Sequence, residues 1–275
     1  MSIKFAAITP HPPVIIPTMG SSLDLRKTDQ TRKSMQKIAE LFIKSQPEIV
    51  ILISPHGPVE YQEITINVSP DLLGNFEHFG NYKTYLNFKN DLEIVNSLHQ
   101  QCLTQKTPVR LMEDPMLDHG ALVPLYYLTQ NYQKKVKVVP VAYSYPEKQI
   151  NFDFGKIIFE VCNSEKNKEK NFAIIASGDL SHRLTSDAPA GFSPKGSEFD
   201  KQLIQSLDNN DVQTTLDIND NLIKEAGECG YLSIVILLGA IEQINKTRMF
   251  KNVKFKSLSY EAPFGVGYLV GYFKL

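Results

Sequence analysis

Four short, nearly continuous apolar runs govern what this chain can fold into. Ile3 to Thr9 (IKFAAIT) and Ile49 to Ser54 (IVILIS) are each stopped by a proline, and Val136 to Ala142 and Phe172 to Ala176 (FAIIA) repeat the signature. Side chains of a strand alternate between two faces, so a strand that is apolar throughout is buried on both, the habit of parallel strands covered by helices. Between the first two runs Met35, Ile38, Leu41 and Phe42 draw one helical stripe. Leu92, Val95, Leu98 and Cys102 draw a second, and Phe199, Leu203 and Leu207 a third. Strands alternating with amphipathic helices predict an α/β fold with a central mixed, largely parallel sheet flanked by helices. Phe255 to Tyr260 and Val266 to Phe273, around Pro263-Phe264-Gly265, predict two strands at an antiparallel edge.

The chain has 275 residues, and a domain takes roughly 100–200. The polar run Asn163 to Asn171 reads as a surface loop and not as a linker, so a single domain over 1–275 is expected. Lys and Arg number 29 against 30 Asp and Glu, a net charge of −1. That balance gives no pull toward phosphate backbones or anionic lipid, and nucleic-acid and membrane partners are not expected. The longest apolar run, Ile234 to Ile241, ends at Glu242 and is far short of the ~20 residues that cross a bilayer. No export signal is visible in Met-Ser-Ile-Lys-Phe. Cys102, Cys162 and Cys229 are too far apart for a disulfide framework or a CxxC zinc site, so a reducing cytoplasm is the expected location.

The histidines carry the chemistry. His11 in Thr-Pro-His-Pro-Pro and His56 in Ser-Pro-His-Gly-Pro each follow a strand's carboxyl end, and His182 follows the fourth run in Ala-Ser-Gly-Asp-Leu-Ser-His. In open α/β sheets the ligand crevice lies outside those ends, which brings chain-distant imidazoles to one rim. His119, in Leu-Asp-His-Gly-Ala-Leu-Val-Pro, stands where a loop meets an apolar helix start, whereas His78 and His99 read as surface residues. Flanking prolines hold His11 and His56 in defined directions, which suits metal ligands. Imidazole favours zinc, iron, copper or nickel, and a carboxylate would complete the facial triad of non-haem iron(II) oxygenases. Glu228, in Glu225-Ala-Gly-Glu-Cys-Gly-Tyr231, is the best carboxylate, although its position just before an apolar helix equally suits the positive end of a helix dipole. Adjacent Cys229 is a rival ligand, whose thiolate would shift the preference toward zinc or copper. Asp114, Asp118 and Asp179 read either as acceptors that orient an imidazole or as caps of turns and helices. Tyr61, Phe76, Tyr126 and Tyr143 are candidates to line an aromatic slot, or else core residues.

In the order ITPHPPVIIP, ILISPHGP, LDHGALVPL, IIASGDLSHRL, AGECGYLSIVILLGAI and SYEAPFGVGYLVGYF, these motifs resemble the class III extradiol ring-cleavage dioxygenase superfamily, the LigB-like fold. The first, fourth and last are worded more like its Memo-related branch. The resemblance implies that His11, His56 and Glu228 bind iron(II), that His182 serves as acid and base, and that His119 contacts substrate or oxygen. It implies a small aromatic diol and O2 as reactants and self-association of the chain. In the Memo branch a cysteine stands in the region of the third ligand, so Glu228 and Cys229 side by side satisfy either pattern. Three readings follow: an iron(II) extradiol dioxygenase, a Memo-like metal-binding protein without ring cleavage that acts through a partner or other redox chemistry, and a zinc hydrolase on the same histidines.

Overall fold

In a computed structural model, which describes residues 2–247 and 253–275, the apolar runs form the centre of one large sheet. Strands Ile3–Thr9, Phe172–Ser177, Ile49–Ile53 and Lys137–Ala142 lie side by side in that order, all parallel. On one flank Tyr268–Lys274 joins Ile3–Thr9 antiparallel, and Lys254–Glu261 pairs with it in turn, the expected antiparallel edge. On the other, Ile64–Asn67 runs antiparallel to Lys137–Ala142 and parallel to Val109–Met112. A hairpin of Asp71–Phe76 and Asn81–Lys89 meets this flank at Lys137. The result is an α/β fold with a mixed sheet of ten strands among the described residues.

Burial explains why the central runs are apolar at every position. Ile49, Ile51 and Ile53 point into one core and Val50 and Leu52 into the other. The first core is covered by helices Leu92–Gln105, Lys148–Cys162, Pro194–Asp208 and Tyr231–Thr247. The second is covered by Asp29–Ser45, whose Met35, Ile38 and Phe42 are fully buried, and by His119–Thr129. Both sides of the sheet are therefore closed, and the parallel strands' carboxyl ends open onto one rim. The segment 163–170 is a run of turns pinned by buried Asn167, whose side-chain amide donates to the Val161 carbonyl at 3.0 Å. Among the described residues, no helix is long and apolar enough to cross a membrane.

Candidate metal centre

Each parallel strand delivers one part of the site. Past Ile3–Thr9 the chain places His11, almost wholly buried; past Ile49–Ile53 it places His56, which reaches solvent. Their Nε2 atoms are 3.0 Å apart. Ser177 ends the strand between these two and faces the back of His11, its Oγ 3.0 Å from His11 Nδ1. That hydroxyl's single proton is donated to the Gly120 carbonyl at 2.6 Å, so the Oγ accepts from His11 Nδ1–H and leaves Nε2 of the neutral ring without a proton. Burial and the imidazoles of His56, His119 and His182 lower the pKa of His11 well below its ordinary value, so the ring is neutral at pH 7. A neutral imidazole with its Nε2 lone pair aimed into a cluster is a prepared ligand.

The third donor comes from the turn before helix Tyr231–Thr247. Gly178 and Gly230 meet there backbone to backbone, and a Cβ on Gly178 would overlap the Cα of Gly230. This close approach lets Cys229 and Gly230 donate their N–H groups to the Asp179 carbonyl at 3.3 and 2.9 Å, and it sets Cys229 Sγ 3.6 Å from His11 Nε2. His11, His56 and Cys229 form the one group of three or more potential ligands found among the described residues, their donor atoms all within 4.8 Å of one another. Metal–nitrogen bonds of ~2.0–2.1 Å and a metal–sulfur bond of ~2.3 Å around a tetrahedral ion would separate such donors by ~3.3–3.6 Å. The two edges at His11, 3.0 Å to His56 and 3.6 Å to Cys229, lie close to these values.

Glu228, the carboxylate that the resemblance implies as third ligand, is engaged elsewhere. Its Oε2 accepts the Tyr231 N–H at 2.5 Å at the start of the helix, the helix-end role open to it from its position, and the donor beside the imidazoles is Cys229. Burial pushes Glu228 up to about 7 and Asp179 likewise to about 7, and holds the Cys229 thiol well above its ordinary value. Desolvation of these three acids penalises their charged forms, a penalty that a bound cation would relieve.

The other two site histidines surround this group. His119 opens helix His119–Thr129 and stacks on His56, ring centroids 4.3 Å apart and planes 21° from parallel. Its position is set by Asp118, whose Oδ1 accepts from Ala121 N at 3.1 Å and from the Ser54 hydroxyl at 2.5 Å, while Ser54 Oγ accepts the His56 N–H at 3.3 Å. Asp118 thus caps the helix and ties the two histidine loops together. His182 is half-buried, with Nδ1 shielded from solvent and without a hydrogen-bond partner. Its pKa is lowered chiefly by burial, with the Gly227 carbonyl opposing and His56 adding to the shift. Asp179 receives the His11 N–H at 3.0 Å, whereas Asp114 closes a turn by accepting from Met116 N. Phe76 is core, Tyr61 is exposed, and half-buried Tyr143 lies near Glu228 and Cys229. His78 and His99 stand outside the metal-competent group. Ser177 and Ser54 carried no sequence signal: each is a small polar residue at the end of an apolar strand.

The family model described as the catalytic LigB subunit of aromatic ring-opening dioxygenase matches residues 5–271. Protein CA_C1420 of Clostridium acetobutylicum is 31% identical over 277 residues, covering 98% of this chain and 57% of its own length, so the chain spans little more than half of that relative. The crystal structure of an uncharacterized protein, JW3007 from Escherichia coli K12, shares the fold with a TM-score of 0.65 at 15% identity, over 98% of this chain and 100% of that one. With the motifs, the sheet and the histidine rim in agreement, the chain belongs to the LigB family of aromatic ring-opening dioxygenases.

Proposed function

We propose that this protein is a non-haem metal-dependent dioxygenase that opens a catechol-like ring, with His11, His56 and Cys229 as metal ligands and His182 and His119 as the groups that handle substrate protons. The observation that carries the reading is the pair of imidazoles outside the donor set: His119 stacked on His56, and half-buried His182 beside His11 and His56. A purely structural metal site is closed by its ligands and has no use for two further neutral bases. Iron(II), the metal the family implies, would supply a centre at which diol and O2 meet.

The chain's own residues then have separable tasks. Ser177 and Asp179 hold His11 in one tautomer and orientation through Nδ1 and the backbone N–H. His182, kept neutral by burial, accepts a proton from a diol hydroxyl and can return it to the product. His119, also neutral at pH 7 because burial outweighs the opposing carboxylate of Asp118, forms one side of the substrate crevice.

A second reading is favoured by Cys229. A thiolate donor prefers zinc or copper to iron(II), which fits a Memo-like metal-binding protein that acts through a partner or through other redox chemistry. Anaerobic loading with iron(II), addition of a panel of catechols and then oxygen separates the two. Oxygen uptake with a yellow ring-fission product supports the dioxygenase. Full metal occupancy without product from any catechol supports the Memo-like reading.

A further inference from the structure

Phe79 leaves a phenyl face 46% exposed directly beside the imidazoles. Its ring centroid lies 5.3 Å from that of His119, with the planes inclined by 58°. His119 in turn stacks on His56, so the phenyl face is two rings from a donor of the metal-competent group. Leaving such a ring in water forgoes the stabilisation that burial would give.

The ring is held where it stands. Phe79 ends the turn Glu77–Phe79 at the tip of the hairpin between Asp71–Phe76 and Asn81–Lys89, and Gly80 closes that turn at φ 79°. The Asn81 side-chain amide donates to the Thr18 hydroxyl at 2.9 Å, which ties the tip to the segment that follows His11. Tyr85 donates its hydroxyl to Glu77 at 2.8 Å. Lower down, Leu73 N donates to the Pro115 carbonyl at 2.7 Å and Leu117 N to the Leu73 carbonyl at 2.8 Å. Those bonds join the hairpin to the stretch that leads into His119. Phe79 and His119 therefore ride on two segments braced against each other.

We propose that Phe79 determines specificity: its face and His119 form the wall on which a planar aromatic ring is held, so that the site selects aromatic over aliphatic chelating ligands. The inference rests on the metal-centred reading above and deepens it by assigning a residue to the choice of substrate class. Aromatic pairs prefer offset or edge-to-face arrangements and add up to roughly tenfold in affinity beyond the area they bury. A leucine at the position would keep the apolar contact and lose the ring.

The test is binding to anaerobically iron(II)-loaded protein, followed by absorbance without oxygen, with 4-nitrocatechol as the aromatic chelator and acetohydroxamate as an aliphatic one. Phe79→Leu should weaken 4-nitrocatechol about tenfold while leaving acetohydroxamate affinity and metal content unchanged, and Phe79→Tyr should restore the aromatic affinity. Equal 4-nitrocatechol affinity in native protein and Phe79→Leu overturns this inference alone. Parallel loss of both chelators overturns it too, since the residue would then act on the site as a whole. Native protein that takes up iron and binds no 4-nitrocatechol overturns the functional reading and this inference with it.

Discussion

Cys229 Sγ lies 3.6 Å from Nε2 of His11, although the two residues are 218 positions apart in the chain. The contact depends on Gly178 and Gly230, which let the end of strand Phe172–Ser177 and the start of helix Tyr231–Thr247 touch backbone to backbone. It gives the histidine rim a sulfur donor where the motif alone left a choice between two neighbours.

Ser177 fixes which nitrogen of His11 faces the cluster, because its proton is committed to the Gly120 carbonyl. Ser177→Ala should leave the fold intact and lower metal affinity by ~10–100-fold, the usual cost of removing a group that orients a ligand. Competition against a chelator of known affinity measures this. An unchanged affinity would show that His11 keeps its tautomer without the serine.

His182 should be separable from the ligands by comparing two quantities. General acid–base groups contribute ~10²–10⁴-fold to rate, whereas removing a donor empties a site. His182→Phe should retain metal at near native stoichiometry and lose most turnover of any catechol the native protein accepts; His56→Ala should lose both. Metal analysis beside oxygen-uptake rates decides it, and equal metal loss in the two variants would make His182 a ligand.

Metal uptake should release protons. The Cys229 thiol is held well above its ordinary pKa by burial and by the nearby acids Asp179 and Glu228, so at pH 7 it is protonated and must lose that proton to bind. Affinity should therefore rise with pH, by about tenfold per unit for one proton released. Calorimetric titration of the apoprotein in two buffers of different ionisation enthalpy counts the protons. Affinity independent of pH between about 6 and 8 would argue against thiolate ligation.

Asp200 offers a stability test on a residue outside the proposed donor set. It is buried, accepts from Ser181 N at 2.8 Å and the Tyr260 hydroxyl at 2.5 Å, and has its pKa pushed up from 3.8 to about 6, chiefly by desolvation. A raised carboxyl pKa means that the folded state holds the proton more tightly than the unfolded chain. Its contribution is complete below pH 4 and is lost as pH rises through about 6, a change on the order of 2–3 kcal/mol. Asp200→Asn should flatten this part of the pH dependence, so that the variant gains on the native protein between pH 4 and 7 in urea denaturation. Parallel curves for the two proteins would refute it.

The parts of the fold that were legible in the sequence are those where burial leaves no alternative. Ile49–Ile53 and Phe172–Ser177 are apolar at nearly every position because both of their faces are covered. The hairpin strand Asn81–Lys89 is largely exposed, with Tyr82 and Tyr85 open to solvent, and gives no such run. In the site, His11, His56, His119 and His182 were legible because each follows a strand end or opens a helix. Glu228 and Cys229 are adjacent, so the sequence alone does not say which side chain turns toward the imidazoles; in the structure the Cys229 sulfur is the one grouped with them. The helix start at Tyr231 took the carboxylate, and the sulfur was left to the imidazoles. Ser177 and Phe79 act through partners far away in the chain, and local pattern carries no trace of either.

X-ray absorption at the metal edge of loaded protein tests the proposed centre most directly. Ligation by His11, His56 and Cys229 predicts one sulfur scatterer at about 2.3 Å together with two imidazoles, with the sulfur signal absent in Cys229→Ala. A first shell of nitrogen and oxygen alone, unchanged by that substitution, would contradict it and return the third position to a carboxylate.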